Sequence, residues 1–185
     1  MTRTLYLLRH AKAEPHSLFK SDFDRVLAEQ GRADAIALGG WLFNHPTRLR
    51  GDEGGESIPH LFDHIICSSA ARTCQTLEYL KQGMGEQGAV FENIQYEKKL
   101  YHASAETMLG VLRLTPPDAQ RVLMVGHNPG ISELAAMLAS RGDAKLIDDI
   151  KLGMPTCTLA IFEFDCQSWQ EAGPTNSEIV GFWVV

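Results

Sequence analysis

The chain has 185 residues, 44% of them hydrophobic and 22% charged, the balance of a globular protein with room for one domain rather than of a disordered chain. No apolar run approaches the roughly 18 residues of a membrane-spanning helix. A formal charge of −6 argues against a nucleic-acid backbone as partner, so an anionic ligand would have to meet positive charge gathered in one place.

In chain order, Thr4 to Leu8 is a short apolar run that ends abruptly at Arg9. It is too brief for the core of a signal peptide and reads as a buried strand. A polar loop follows to about Arg25. Ala33, Ile36, Ala37, Gly40 and Trp41 then share one helical face, and Asn44-His45-Pro46 should end that helix. The segment from Thr47 to Pro59 is rich in charge and glycine and reads as an exposed loop. His64 to Cys67 is a second strand breaking into Ser68-Ser69-Ala70, with Ser68 read as a cap. A helix is expected from Ala71 to Lys81, with Leu77 and Leu80 inward and Gly83 and Gly85 at its end.

Val90 to Tyr96 reads as another strand. Ser104 is a candidate N-cap for a helix burying Met108, Leu109 and Leu112, stopped by Thr115-Pro116-Pro117. Arg121 to Val125 is a strand leading into Gly126-His127-Asn128-Pro129-Gly130, and Ile131, Leu134, Ala135 and Leu138 give a further helical face. Two strands, Cys157 to Phe164 and Glu178 to Val185, complete the chain. This alternation predicts an α/β fold with a mainly parallel central sheet covered on both sides, in a single domain spanning 1–185. Cys67, Cys74, Cys157 and Cys166 form no Cys-x-x-Cys pair and read as reduced thiols of a cytoplasmic protein, Cys67 and Cys157 inside strands. Neither their spacing nor that of the histidines fits a zinc site.

Ligands of open α/β sheets gather beyond the carboxyl ends of the strands. Arg9-His10 stands at one such end, Ser68 with Arg72 at a second, and Gly126-His127-Asn128 at a third, before a helix N-terminus. Paired arginines and a helix start make a phosphate site. Two imidazoles point further, to chemistry: one can attack phosphorus while the other stabilises its oxygens, without a metal or other cofactor.

The run Leu7-Leu8-Arg9-His10-Ala11 resembles the Arg-His-Gly signature of the histidine phosphatase (phosphoglycerate mutase-like) superfamily. Arg9-His10-Ala11-Lys12, Asp24-Arg25 with Leu27 and Gly31, Ser68-x-x-x-Arg72-Thr73, Leu100 to Ser104 and Val125 to Gly130 follow in the order seen in its SixA-type phosphohistidine phosphatases. The resemblance spans roughly residues 4 to 165. It implies a three-layer α/β/α fold, with His10 as the nucleophile that becomes phosphorylated and Arg9, Arg72 and His127 around the phosphoryl group. Asn128 and Arg25 are further candidates for phosphate binding.

Ala11 replaces the usual glycine, a change this branch tolerates. Where many phosphomonoesterases of the superfamily carry a glutamate acid, this chain has Tyr101-His102, with Glu97 and Glu106 nearby. An alkoxide leaving group needs a proton, whereas the imidazole of a phosphohistidine can leave neutral once its other nitrogen is protonated. The expected activity is therefore removal of phosphate from phosphohistidine in a protein, with inorganic phosphate as product and His102 as a candidate proton source. A small-molecule phosphomonoesterase and a non-catalytic phosphate-binding module are the alternatives. Lys12 could add positive potential, while His16, His45, His60 and His64 read as surface or loop residues.

Overall fold

In the computed structural model, β1 (Thr2–Arg9), β2 (His64–Ser68), β3 (Ile94–Glu97), β4 (Arg121–Gly126), β5 (Leu159–Asp165) and β6 (Ser177–Trp183) share one sheet in the order β3-β2-β4-β1-β5-β6. The first four strands in that order are parallel neighbours, and β5 runs antiparallel to both β1 and β6, so the sheet is mostly parallel. The residues described are 2–16, 19, 21–45, 61–88 and 91–185; the loop expected over Thr47–Pro59 and His60 lie outside them.

Strand alternation sorts the core into two layers. Leu5 and Leu7 of β1 face one cluster with Met108, Leu134, Leu138 and Ile150, while Tyr6 and Leu8 face another with Leu38, Leu42, Leu77 and Leu80. The first face is covered by α3 (Ala105–Leu112), α4 (Gly130–Leu138) and α5 (Ala144–Lys151), the second by α1 (Glu29–Asn44) and α2 (Ala71–Gly88). This is the expected α/β/α layering. Among the described residues no helix is long and apolar enough to cross a membrane.

Several expectations need correction. The inward stripe of α1 is Gly31, Ala35, Leu38, Gly39 and Leu42, whereas Ala33 and Ala37 are exposed. Its glycines allow α1 and α2 to approach closely: a Cβ on Gly39 would lie 2.1 Å from the Leu80 carbonyl oxygen. Gly83 does not end α2: a Cβ there would lie 2.0 Å from the Ile36 carbonyl oxygen, so this glycine serves the contact between the helices. The helical geometry breaks at Gly85 (φ 71°). Residue Val90 lies outside the described residues, and β3 itself starts at Ile94. Cys157 precedes β5 in a left-handed conformation (φ 58°), and β6 ends at Trp183. Helix α5, capped by Asp143, is a further helix beyond the expected ones, and its buried set reduces to Ile150. His64 is buried at the start of β2, its Nε2 3.1 Å from Gln95 Oε1.

Candidate active site

Parallel pairing in register sets the site. Leu8, Val125 and Cys67 are aligned across β1, β4 and β2, and Arg9 faces Gly126. His10, His127 and Ser68, which follow or end these strands, therefore reach the same rim. The His10 and His127 rings lie 5.0 Å apart, and His127 Nε2 is 2.7 Å from Ser68 Oγ. The Ser68 hydroxyl thus contacts His127 instead of capping α2. His127 Nδ1 is buried with no partner.

His10 is 7% exposed and fixed from several sides. Its amide donates to Gly126 O and its carbonyl accepts from Cys157 N, both at 3.1 Å. Its Nδ1 lies 2.7 Å from Ala11 O; a carbonyl can only accept, so Nδ1 carries the proton and Nε2 keeps its lone pair. Arg72 Nε donates to that Nε2 at 3.3 Å. Helix α2 grips the same turn: Ala11 N donates to Thr76 Oγ1 at 3.0 Å, and the Thr76 hydroxyl donates to Arg72 O at 2.7 Å.

Both imidazoles are neutral at pH 7. Burial lowers the His10 pKa to about 4; the Ala11 bond opposes this, and the charges of Arg72, Arg9 and Arg25 reinforce it. Burial also lowers His127 to about 3, helped by His10, Arg72 and His102 and opposed by Asp22. An unfolded histidine titrates near 6.5, so below that pH the unfolded chain takes up protons that the folded one refuses. Stability is then full above pH 6.5 and falls as pH drops toward 4, by about 3 kcal/mol for His10 alone. Denaturant titrations of wild type and His10→Ala at pH 7 and pH 4.5 check this. The pH-dependent loss should be smaller in the variant, and equal losses would refute the assignment.

Asp24 of the Asp24-Arg25 block is exposed, and the carboxylate at the site is Asp22. Asp22 ends pair with Arg25 at 3.0 Å and Arg72 at 3.1 Å, and Tyr101 Oη donates to Asp22 Oδ2 at 2.8 Å. Arg72 Nη1 also donates to the Asp22 carbonyl at 2.6 Å. Burial raises the Asp22 pKa, but the Tyr101 bond and the two guanidinium groups outweigh it and leave the carboxyl below its ordinary value. A carboxylate is thus present beside Tyr101, supplied by a distant loop and held ionised. No local spacing signals it, because 79 residues separate the two. His102 is 62% exposed, with Nε2 3.9 Å from Asp22 Oδ2.

Arg9 Nη1 donates to Met154 O at 2.6 Å. Asn128 Nδ2 donates to the same carbonyl at 3.3 Å, and Asn128 Oδ1 accepts from Ser132 Oγ at 2.7 Å. Ser132 Oγ accepts from Met154 N at 3.0 Å, which closes the circuit. Both ends of the Asn128 amide are therefore engaged in bracing the carbonyl that holds Arg9. Arg25 faces the site through Asp22 and also donates to Glu14 O at 3.2 Å. Lys12 is exposed.

The N-terminus of α4 is pressed against the 101–104 turn. A Cβ on Gly130 would lie 1.9 Å from the Ala103 carbonyl oxygen. Gly130→Ala is therefore expected to cost about 2–4 kcal/mol, a fall in Tm of roughly 4–16 °C, readable by calorimetry. An unchanged Tm would contradict the close approach.

A cleft of about 270 Å³ beside Asp22 and Arg25 is lined by Glu14, Pro15, His16, Ser21 and Val26. A larger one, about 580 Å³, lies at the opposite rim around Asp63, His64 and Arg121 and holds none of the candidate residues. Among the described residues no group of three or more His, Cys, Asp or Glu side chains could hold a metal ion.

No protein-family model matches the chain. An uncharacterised protein of Mycobacterium tuberculosis is 30% identical over 180 residues, covering 96% of this chain and 99% of that protein. Two solved structures superpose along the whole fold. One, assigned as the phosphohistidine phosphatase SixA of Nakamurella multipartitia, gives a TM-score of 0.73 at 27% identity, covering 100% of this chain and 96% of that one. The other, assigned as SixA of Agrobacterium tumefaciens, gives 0.73 at 27% identity, covering 99% of each chain.

Proposed function

This chain belongs to the histidine phosphatase superfamily, in its SixA-type branch of phosphatases, and on that premise we propose that it removes phosphate from phosphohistidine in a protein, in the cytoplasm, through a phosphorylated His10. The observation that carries the reading is the Nε2 lone pair of a buried, neutral His10, held between Arg72 and His127.

In the first step His10 Nε2 bonds to phosphorus as the substrate's P–N bond breaks. The leaving imidazole keeps the electron pair and departs neutral if its other nitrogen carries a proton. Water then attacks phosphorus, the P–Nε2 bond breaks, and inorganic phosphate leaves. Arg9 and Arg72 offer guanidinium donors to the phosphoryl oxygens. If the Ser68 hydroxyl donates to His127 Nε2, the orphan Nδ1 carries a proton and supplies one more donor. Asn128 acts through Met154 and Arg9, and Arg25 through Asp22.

The test is side-by-side turnover of a phosphohistidine-bearing protein and a simple aryl phosphate. Preference for the first substrate supports the reading, and preference for the second replaces it with a phosphomonoesterase. A companion measurement concerns the leaving proton. His102→Ala is expected to leave phosphohistidine turnover within about threefold of wild type, since a general acid is worth on the order of 10² or more. A loss of that size would make His102 the proton source.

A further inference from the structure

Two thiols stand behind this site and take no part in the proposed chemistry. Cys67 is fully buried in β2, and Cys74 is half-buried in the first turns of α2. Both direct sulfur at one oxygen, the Ser68 carbonyl, at 3.3 and 3.7 Å. That carbonyl also accepts from the Thr73 hydroxyl at 2.7 Å. The hydroxyl of the same Ser68 is the group that touches His127. The thiol pair and the candidate active site therefore share a residue.

From these contacts we infer that Cys67 and Cys74 form a peroxide-oxidisable dithiol, whose closure to a disulfide lowers phosphatase activity through Ser68. Cys74 is the attacking sulfur, being the accessible one and lying near the amino end of a helix. The neighbouring Cys67 thiol lowers its pKa to about 7, against the effect of burial. The thiolate attacks one oxygen of hydrogen peroxide and the O–O bond breaks. Cys74 becomes a sulfenic acid, and the released hydroxide takes a proton to become water. Cys67 sulfur then attacks Cys74 sulfur and gives up its proton, and the S–O bond breaks to release a second water. In sum two thiols are oxidised to one disulfide and one peroxide is reduced to two waters.

The coupling to the site is local. A disulfide draws the sulfurs to about 2.05 Å and removes both S–H donors from the Ser68 carbonyl. Ser68 then keeps Thr73 as a donor to that oxygen, and its hydroxyl loses the constraint that presents it to His127. Burial raises the thiol pKa of both Cys157 and Cys166, so these two should stay unoxidised and serve as internal controls.

The experiment treats the whole protein with hydrogen peroxide, quenches with catalase, and maps disulfides by peptide mass spectrometry. The expected result is a Cys67–Cys74 linked peptide and the loss of two free thiols, both reversed by dithiothreitol. Turnover of an aryl phosphate or a phosphohistidine protein should fall roughly 3- to 30-fold, the range of coupling between adjacent networks, and recover on reduction. Cys74→Ser should keep its activity in peroxide. Absence of the linked peptide, or oxidation of Cys74 that stops at the sulfinic acid, overturns the pairing. A linked peptide with unchanged turnover overturns the coupling. The peptide readout does not depend on the phosphatase reading, so failure of the one is distinguishable from failure of the other.

Discussion

Replacement of His10 by alanine is expected to lower kcat/KM on a phosphohistidine substrate by about 10⁴-fold or more, while the variant still folds and binds inorganic phosphate at pH 7. The covalent route runs through a single atom, His10 Nε2, and the arginines beside it have no lone pair to offer. The phosphate donors Arg9 and Arg72 keep other anchors, in Met154 O and Asp22 respectively, so the anion site outlives the nucleophile. At neutral pH the ring is uncharged in both the folded and unfolded chain, so truncation relieves no protonation penalty there and costs only the bond to the Ala11 carbonyl and the ring's packing, about 1–3 kcal/mol. Acid-quenched wild type should carry phosphate on His10, and the variant none. Turnover within tenfold of wild type would mean that water or another residue attacks phosphorus directly.

The parts of this site that could be read from the chain are those fixed by strand ends. Arg9-His10, Ser68 with Arg72, and Gly126-His127 each close an apolar run, and parallel pairing in register converts those three positions along the chain into one rim. What stayed hidden depends on contacts between distant loops. Asp22 lies in a polar stretch with no periodicity and acquires meaning only when Tyr101 and Arg72 arrive beside it. Met154 serves the site through its backbone, which its side chain does not advertise, yet its carbonyl anchors both Arg9 and Asn128. Ser68 illustrates the reverse error: a serine ahead of a helix suggests a cap, and here the helix begins three residues later while the hydroxyl turns to His127. On α1 two apolar stripes compete, and helical spacing alone does not distinguish Ala35, Leu38 and Leu42, which are buried, from Ala33 and Ala37, which are exposed.

Arg72→Lys is expected to lower kcat/KM by roughly 10²- to 10³-fold even though the positive charge is kept. Arg72 is 3% exposed and does three separate things with one planar group. Its Nε donates to His10 Nε2, its Nη1 to the Asp22 carbonyl, and its Nη2 pairs with the Asp22 carboxylate. A lysine ammonium is a single point that can satisfy one of these positions at a time. It would leave either His10 unaligned or Asp22 held by Arg25 and Tyr101 alone, and it would offer a phosphoryl group no fork of donors. The charge next to His10 persists, however, so the depressed histidine pKa and the acid limb of the pH–rate profile should stay in place while the plateau drops. Arg72→Gln separates the two effects. Losing the charge removes one of the influences that hold the His10 pKa down, so in that variant the acid limb should move to higher pH as the plateau falls further. A lysine variant with wild-type turnover would show that charge alone is needed at this position. A lysine variant whose acid limb shifts as far as that of the glutamine variant would show that the guanidinium acts on His10 through its geometry and not through its field.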